Sequence, residues 1–295
     1  MSEVFFYDFI TGYCPLSELH RATVELFQDS ITPIYDPLYE PAHRCQWLDP
    51  EKDLVIGYEA GDRSAYAYPL RIMRRHEIVN DTIANTPVLI TYCPLSASGA
   101  VYSRLVDDTV LTFGNSGARY QSGLIMYDYD SGSYWYQMNG RAIIGRLTGA
   151  RLELLPSRLA TYGEWLDSHP NTLVLSNNQS AGKDPYGVKP GPDETYSAQI
   201  SQGTFPAPVS LERVKNCGAK LPLGEKVMVV RVGDVQKAYV LRHLWGKGVN
   251  DVVNGEPVLV VGGRSPCTGA AFSRLVGGRP LTFSMVDGTL MDMET

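Results

Sequence analysis

A mainly β chain with a few helices, β or α+β in class, is what the sequence predicts, built on an internally duplicated antiparallel β unit that forms a barrel- or sandwich-like body. Three observations predict it. GAVYSRLV at 99–106 recurs as GAAFSRLV at 269–276, and LTF at 111–113 recurs at 281–283, both at an offset of 170 (269 − 99 and 281 − 111). Upstream, Asn80-Asp81 answers Asn250-Asp251 at the same offset, and Ala67-Tyr68 answers Ala238-Tyr239 at 171 (238 − 67). Blocks kept in register over such a stretch mark two copies of one packing unit. Finally, short β-branched or aromatic runs alternate with Gly, Asp, Asn or Pro every eight to twelve residues or so, the spacing of antiparallel sheets.

In chain order, a helix is expected at 15–29, and strands at 53–58, 65–70, 87–92, 100–105, 110–113 and 124–127. The tetrads 59–62 and 106–109 have hairpin chemistry, as do their counterparts 231–234 and 276–279. Residues 114–117, Gly-Asn-Ser-Gly, read as a turn. Residues 157–169 place Leu159, Tyr162, Trp165 and Leu166 at helical spacing before Pro170, which predicts a second helix. A stretch rich in Pro, Gly and polar residues at 177–196 supplies the domain boundary. The organisation expected is an N-terminal helical or irregular segment at 1–50, a first β repeat at 51–176, a linker or loop at 177–220 and a shorter second repeat at 221–295.

Composition narrows the function. A 295-residue chain with 44% hydrophobic residues has material for full cores. A net charge of −6 without basic stripes argues against nucleic acid as a partner. The apolar N-terminal run is broken by Glu3 and Asp8 and lacks a basic lead, and no stretch approaches the roughly 18 apolar residues of a membrane helix, so no membrane association and a cytoplasmic location are expected. Five scattered cysteines are no disulfide scaffold, and there is no CxxC pair, HExxH, GxGxxG, Walker loop or GxSxG elbow. No nucleotide cofactor is expected.

The reactive residues gather in the first repeat. His76 lies between a strand and an Asn-Asp turn, and Cys93 closes the next strand, where Pro94 stops the ladder. At adjoining strand ends, imidazole and thiol suit a Cys/His metal site or a His-activated thiolate. The bland alternative makes Cys93 a small buried hydrophobe and His76 a loop histidine bonded to backbone. An aromatic hairpin at 126–138 turns at Ser131-Gly132 and brings Met126 and Asp128 to one strand face. A thioether beside imidazole and thiolate is a soft ligand set favouring copper, although cross-strand aromatics and core methionines are ordinary sheet material. Asp128 is a candidate to orient His76.

These segments resemble the uncharacterised family catalogued as domain of unknown function 3179, through SAYAYPLR at 64–71, HEIVND at 76–81, TYCPL at 91–95, LTFGNSG at 111–117, LIMYD at 124–128 and LELLP at 152–156, and in the second repeat through residues 248–251, 268–271 and 281–283. The resemblance implies a duplicated, mainly β protein and no settled activity. Where the family pattern continues Cys-Pro-Leu-Cys, Ser96 stands here, which puts a two-thiolate set in doubt.

The function expected is a metal-dependent oxidoreductase acting on a small organic molecule, with copper ahead of iron or zinc. His76, Cys93 and Met126 are the ligand candidates. His76, Cys93 and Asp128 are the catalytic candidates, and Tyr92, Asn115, Ser116, Tyr127 and Trp135 line the substrate pocket. A metal-free Cys/His transferase or hydrolase and a non-catalytic binding or scaffold module are the alternatives. A homo-oligomer is compatible with the unpaired edge that a shorter second repeat would leave.

Overall fold

The computed structural model describes residues 28–120, 123–179, 221, 225–286 and 288–294, together with the backbone of 3–7. The helix expected at 15–29 and the linker at 177–220 fall almost wholly outside the described residues.

The chain is mainly β, in several open sheets. The first strand, β1 (Glu3–Tyr7), pairs antiparallel with β17 (Val227–Val232), far along the chain. One five-stranded sheet contains β2 (Tyr39–Pro41), β3 (Leu54–Glu59), β4 (Ala65–Pro69), β15 (Ser157–Thr161) and β16 (Leu173–Leu175), in the order β15-β3-β4-β16-β2. A second has the order β14-β7-β6-β5, from β5 (Ile78–Ile83), β6 (Thr86–Cys93), β7 (Ser98–Ser103) and β14 (Leu154–Leu155). A third is the meander β10 (Phe113–Tyr120), β11 (Gly123–Asp128), β12 (Tyr134–Tyr136) and β13 (Arg141–Ile144). No sheet closes into a barrel among the described residues.

The middle sheet is covered on both faces, which explains why β6 reads as a nearly unbroken apolar run. Val88, Ile90 and Tyr92 point toward the five-stranded sheet, where they pack with Ile56, Tyr58, Tyr68, Ile72 and Met73. Leu89 and Cys93 point the other way, into a core shared with Tyr102, Phe113, Met126 and Trp135. The period-two alternation of a strand thus sends Tyr92 and Cys93 to different cores.

Two differences from the sequence expectation have clear causes. Residues 157–161 are strand β15, hydrogen-bonded along β3, and the helix begins only at Tyr162 (α2, Tyr162–Ser168; α1 is given below). Thr161 sets that start: its side chain accepts from Glu164 N while Glu164 accepts from Thr161 N, a capping box. Leu159, which had the right spacing for the helix face, belongs instead to the ladder. Residues 70–76, expected to continue a strand into a loop, form the helix α1 (Leu70–His76), with Pro69 at its N-cap. Asn80 and Asp81 lie within β5, and the turn after them falls at Ala84 and Asn85, both at positive φ. Likewise 114–117 is part of β10, where the pairing with β11 shifts register between Asn115 and Arg119.

Downstream of β17 come β18 (Val235–Val240), the short helix α3 (Leu241–Leu244), β19 (Gly248–Val253), β20 (Glu256–Gly262) and β21 (Gly269–Ser273). The hairpin β22 (Leu275–Val276) and β23 (Arg279–Pro280) follows, then the hairpin β24 (Phe283–Val286) and β25 (Thr289–Asp292). The corresponding small hairpin upstream is β8 (Leu105–Val106) with β9 (Thr109–Val110).

Two side-chain latches occur in both halves. Asn80 Nδ2 donates to Phe113 O at 2.9 Å while its Oδ1 accepts from Phe113 N at 2.8 Å; Asn250 does the same with Phe283, at 2.7 and 2.9 Å. Arg104 reaches the carbonyls of Val88, Leu111 and Asp81, and Arg274 those of Val258, Leu281 and Asp251. A buried carbonyl needs a donor, and one guanidinium fork serves two strands and the segment after the small hairpin at once.

Candidate active site

The helix α1 ends at His76 because Glu77 takes a left-handed conformation (φ 58°) and its N–H closes back on Met73 O at 2.7 Å. That geometry delivers the imidazole beside the segment before β2, where Nδ1 lies 2.7 Å from Thr32 O. A carbonyl oxygen only accepts, so Nδ1 carries the hydrogen and, in the neutral ring, Nε2 holds the lone pair. Burial pushes the His76 pKa below its ordinary value and Arg75 adds to the effect, with the bond to Thr32 opposing both. Burial and Arg75 together thus favour the neutral ring.

Cys93 is the last residue of β6. The β5–β6 ladder pairs Ile78 with Thr91, and Tyr92 N donates to Glu77 O at 2.8 Å. The ladder begins there: Glu77 is left-handed and His76 closes α1, so His76 lies outside the strand that pairs with β6. The Cys93 side chain is fully buried, in no disulfide, and in the same core as Met126, which is also fully buried and pairs with Trp135 across β11 and β12. Its cross-strand neighbour Ser98 belongs to a buried polar network. Ser98 Oγ donates to Gln137 Oε1 at 3.1 Å, Gln137 Nε2 donates to Thr91 Oγ1 at 3.0 Å, and Ser96 Oγ lies 2.7 Å from Ser98 Oγ. Ser96 is thus part of that network.

The other expected site residues separate. Asp128, fully buried, accepts from Ser131 N, from Ser131 Oγ at 2.6 Å and from Trp135 Nε1 at 2.8 Å, so both its oxygens hold the hairpin turn. Trp135 is core, packed edge-on against Phe113. Tyr92 faces the opposite core from Cys93. Ser116 donates to Ile125 O across the bulged ladder, and Tyr127 donates to Asp29. Asn115 alone among the pocket candidates reaches a charged group next to His76.

That group is Glu77. Its carboxylate is 1% exposed, accepts from Asn115 Nδ2 at 2.5 Å, and takes Arg119 Nη2 at 2.9 and 3.1 Å on its two oxygens. Burial raises the Glu77 pKa, with Arg119 and Asn115 opposing. Beside it, Asp29 Oδ1 accepts from Asn115 N at 2.9 Å, while Oδ2 gathers the hydroxyls of Tyr127 and Tyr129. Glu77, Arg119 and Asp29 do not stand out in the sequence. The one signal was a glutamate directly after the motif histidine and before an apolar strand, where a carboxylate is buried only with a partner.

Among the described residues, no group of three or more His, Cys, Asp or Glu side chains is arranged to hold a metal ion. The donor set on these elements is one imidazole nitrogen, one thiol and the Met126 thioether.

The chain matches the model of a family described as a protein of unknown function (DUF3179), over residues 28–208. That span is more than half of the chain, which therefore belongs to this family. The segments of the second half that resemble it lie outside the matched residues. No curated protein and no solved structure matches the chain. No helix among the described residues is long and apolar enough to cross a membrane.

Proposed function

We propose that the chain is a metal-dependent enzyme, with copper the favoured ion, that oxidises or reduces a small organic molecule at the junction of α1, β5 and β6. The observation that carries this reading is the bond from His76 Nδ1 to Thr32 O. A ring that donates one nitrogen to a backbone carbonyl is oriented with the other as ligand, the usual outer-shell arrangement of a metal-binding histidine. Cys93 and Met126, soft donors in one core, complete a set suited to copper. When bound, the ion would supply one-electron chemistry. The protein's part is to hold His76 neutral, keep Cys93 out of solvent and brace the loop through Glu77, Asn115 and Arg119. Burial favours a ligand over a nucleophile: a thiolate in an apolar core is costly unless a cation offsets its charge, and a fully buried thiol is poorly placed to attack a substrate.

Metal analysis of protein purified without chelator tests this. Near-stoichiometric metal, lost in Cys93→Ser and in His76→Ala, is the expected result; under about a tenth of an equivalent in the parent protein rules the site out. The same neutral imidazole would serve a metal-free enzyme in which His76 deprotonates Cys93. Iodoacetamide separates the two readings, since bound metal blocks alkylation until it is removed and an activated thiolate reacts at once. A metal-free protein with an inert thiol would be a binding or scaffold module.

We also infer that the chain is an internal duplication. The matching latches of Asn80 with Asn250 and of Arg104 with Arg274, each at an offset of 170 (250 − 80 and 274 − 104), support it. Position 263 in the second copy, opposite Cys93, is glycine, so the chemistry is assigned to the first copy alone.

A further inference from the structure

We propose that the cleft between α2 and the β20–β21 turn is a binding site for a small aromatic carboxylate carrying a single negative charge. None of the residues bordering this cleft belongs to α1, β5 or β6, so the inference does not rest on the metal site. The cleft has a volume of about 620 Å³, within the ~300–1,000 Å³ of small-molecule sites.

Two distant parts of the chain form its walls, and Glu164 of α2 ties them together. One carboxylate oxygen caps its own helix at Thr161 N. The other accepts from Arg264 N and, at 3.2 Å, from Thr268 Oγ1 in the β20–β21 turn. Gly263 makes that approach possible, since a Cβ there would lie 2.5 Å from Glu164 Oε1 and 2.1 Å from Thr268 Oγ1. A second link joins Arg264 Nη2 to Asp167 Oδ2 at 2.5 Å. The walls are thus fixed before any ligand arrives, which removes an ordering cost from binding.

Arg158, on β15, supplies the charge. Its guanidinium carbon stands 5.0 Å from the centroid of the Trp165 ring. Nη2 donates to Ser168 Oγ at 2.5 Å and to Glu164 O at 3.3 Å, both neutral acceptors, and Nε is buried with no acceptor among the described residues. Arg264 has Asp167, and both Glu164 oxygens are committed elsewhere, so no carboxylate among the described residues pairs with Arg158. Burial lowers the Arg158 pKa, against the pull of Glu164 and Glu59. A partly buried guanidinium held by neutral groups favours an anion beside it. The nearby carboxylates of Glu164 and Asp167 limit that anion to one charge, because a dianion would be repelled.

Trp245 and Phe272 receive the rest of the ligand. Both border the cleft, and they are 59% and 48% exposed. The indole is fixed at its N–H, which donates to Arg264 O at 3.1 Å, so its ring stands as a rigid wall. Aromatic walls suit a flat, unsaturated body, and a guanidinium fork holds a planar carboxylate on two N–H groups.

Proton–nitrogen NMR of the full chain titrated with phenylacetate tests the proposal. Saturable shifts of the Trp245 indole and of the Gly263 and Arg264 amides are expected, with a Kd under about 1 mM. Phenethyl alcohol, which keeps the ring and lacks the charge, should bind at least about tenfold more weakly. Arg158→Met should weaken phenylacetate binding at least about tenfold, and Arg158→Lys by less. Mapping in the parent protein needs no variant to fold. The absence of saturable shifts up to about 10 mM phenylacetate would overturn the proposal, as would equal binding of phenethyl alcohol or shifts that miss residues 245 and 263. Inorganic phosphate binding there as tightly as phenylacetate would make this an anion site only and equally overturn it.

Discussion

Removing the positive partner of Glu77 should make the stability of this fold depend on pH in a defined direction. In Arg119→Met the aliphatic stem is kept and the guanidinium lost, leaving a carboxylate that is 1% exposed with only Asn115 Nδ2 as a close donor at 2.5 Å. At the observed contacts of 2.9 and 3.1 Å the gross attraction is about 5 kcal/mol for an effective dielectric near 20. Breaking a buried pair costs about 3–5 kcal/mol. The Arg119 side chain is 22% exposed, so solvent screens part of the term and the lower end, about 3 kcal/mol, applies near pH 8. Burial already holds the Glu77 pKa above its ordinary value, and losing Arg119 raises it further. A carboxyl whose pKa is higher folded than unfolded binds more protons in the folded state. The deficit is therefore small below the unfolded value of about 4.3 and grows as pH rises through the folded value. Urea unfolding followed by tryptophan fluorescence between pH 5 and 8 reads this, and Glu77→Gln combined with Arg119→Met should recover most of the loss. A loss under about 0.5 kcal/mol at pH 8, or one that does not change with pH, would refute the reasoning.

The two asparagine latches differ in exposure, so Asn80→Ala should cost about 2–4 kcal/mol by stranding the buried N–H and C=O of Phe113, and Asn250→Ala under about 1 kcal/mol, as measured by thermal or urea unfolding. Gly57→Ala should destabilise by at least about 2 kcal/mol, because the added methyl would fall on the Trp165 ring; wild-type stability would show that the ring moves freely. His76 titrates below its ordinary value when folded, so its contribution to stability is present above pH of about 6.5 and lost as pH falls through the folded value; NMR titration of the ring in native protein should give a depressed pKa, and an ordinary one would remove the claim of burial.

Much of the fold was legible because it is written in period two and in turn residues. The runs around 55, 67, 89, 101 and 125 are strands, and the tetrads at 59, 106, 231 and 276 fall at hairpin connections; Asp107, Asp108, Gly233, Gly277 and Gly278 take the positive φ in the last three, while in the first it falls on Arg63. Helices were harder. The apolar spacing at 157–169 suited a helix, but β3 offered residues 157–161 a ladder and the Thr161 capping box set the boundary, a competition settled by tertiary pairing. The site was half legible. His76 and Cys93 announce themselves by chemistry, and β5, which follows His76, does pair with β6, but His76 itself ends α1 rather than a strand. Asp128 suits a role at His76 by residue type, but its bonds to Ser131 and Trp135 commit it to the hairpin turn. Glu77 and Arg119, 42 residues apart in sequence, meet where the register of β10 shifts between Asn115 and Arg119, and such a long-range pairing leaves no local pattern.

The visible absorption spectrum of the protein loaded with copper(II) tests the proposed site most directly. Coordination by the Cys93 thiolate predicts an intense sulfur-to-copper charge-transfer band that vanishes in Cys93→Ser, persists in Cys45→Ser and shifts in Met126→Leu. A colourless protein, or a band indifferent to Cys93, would contradict the assignment of the ion to the α1–β6 junction.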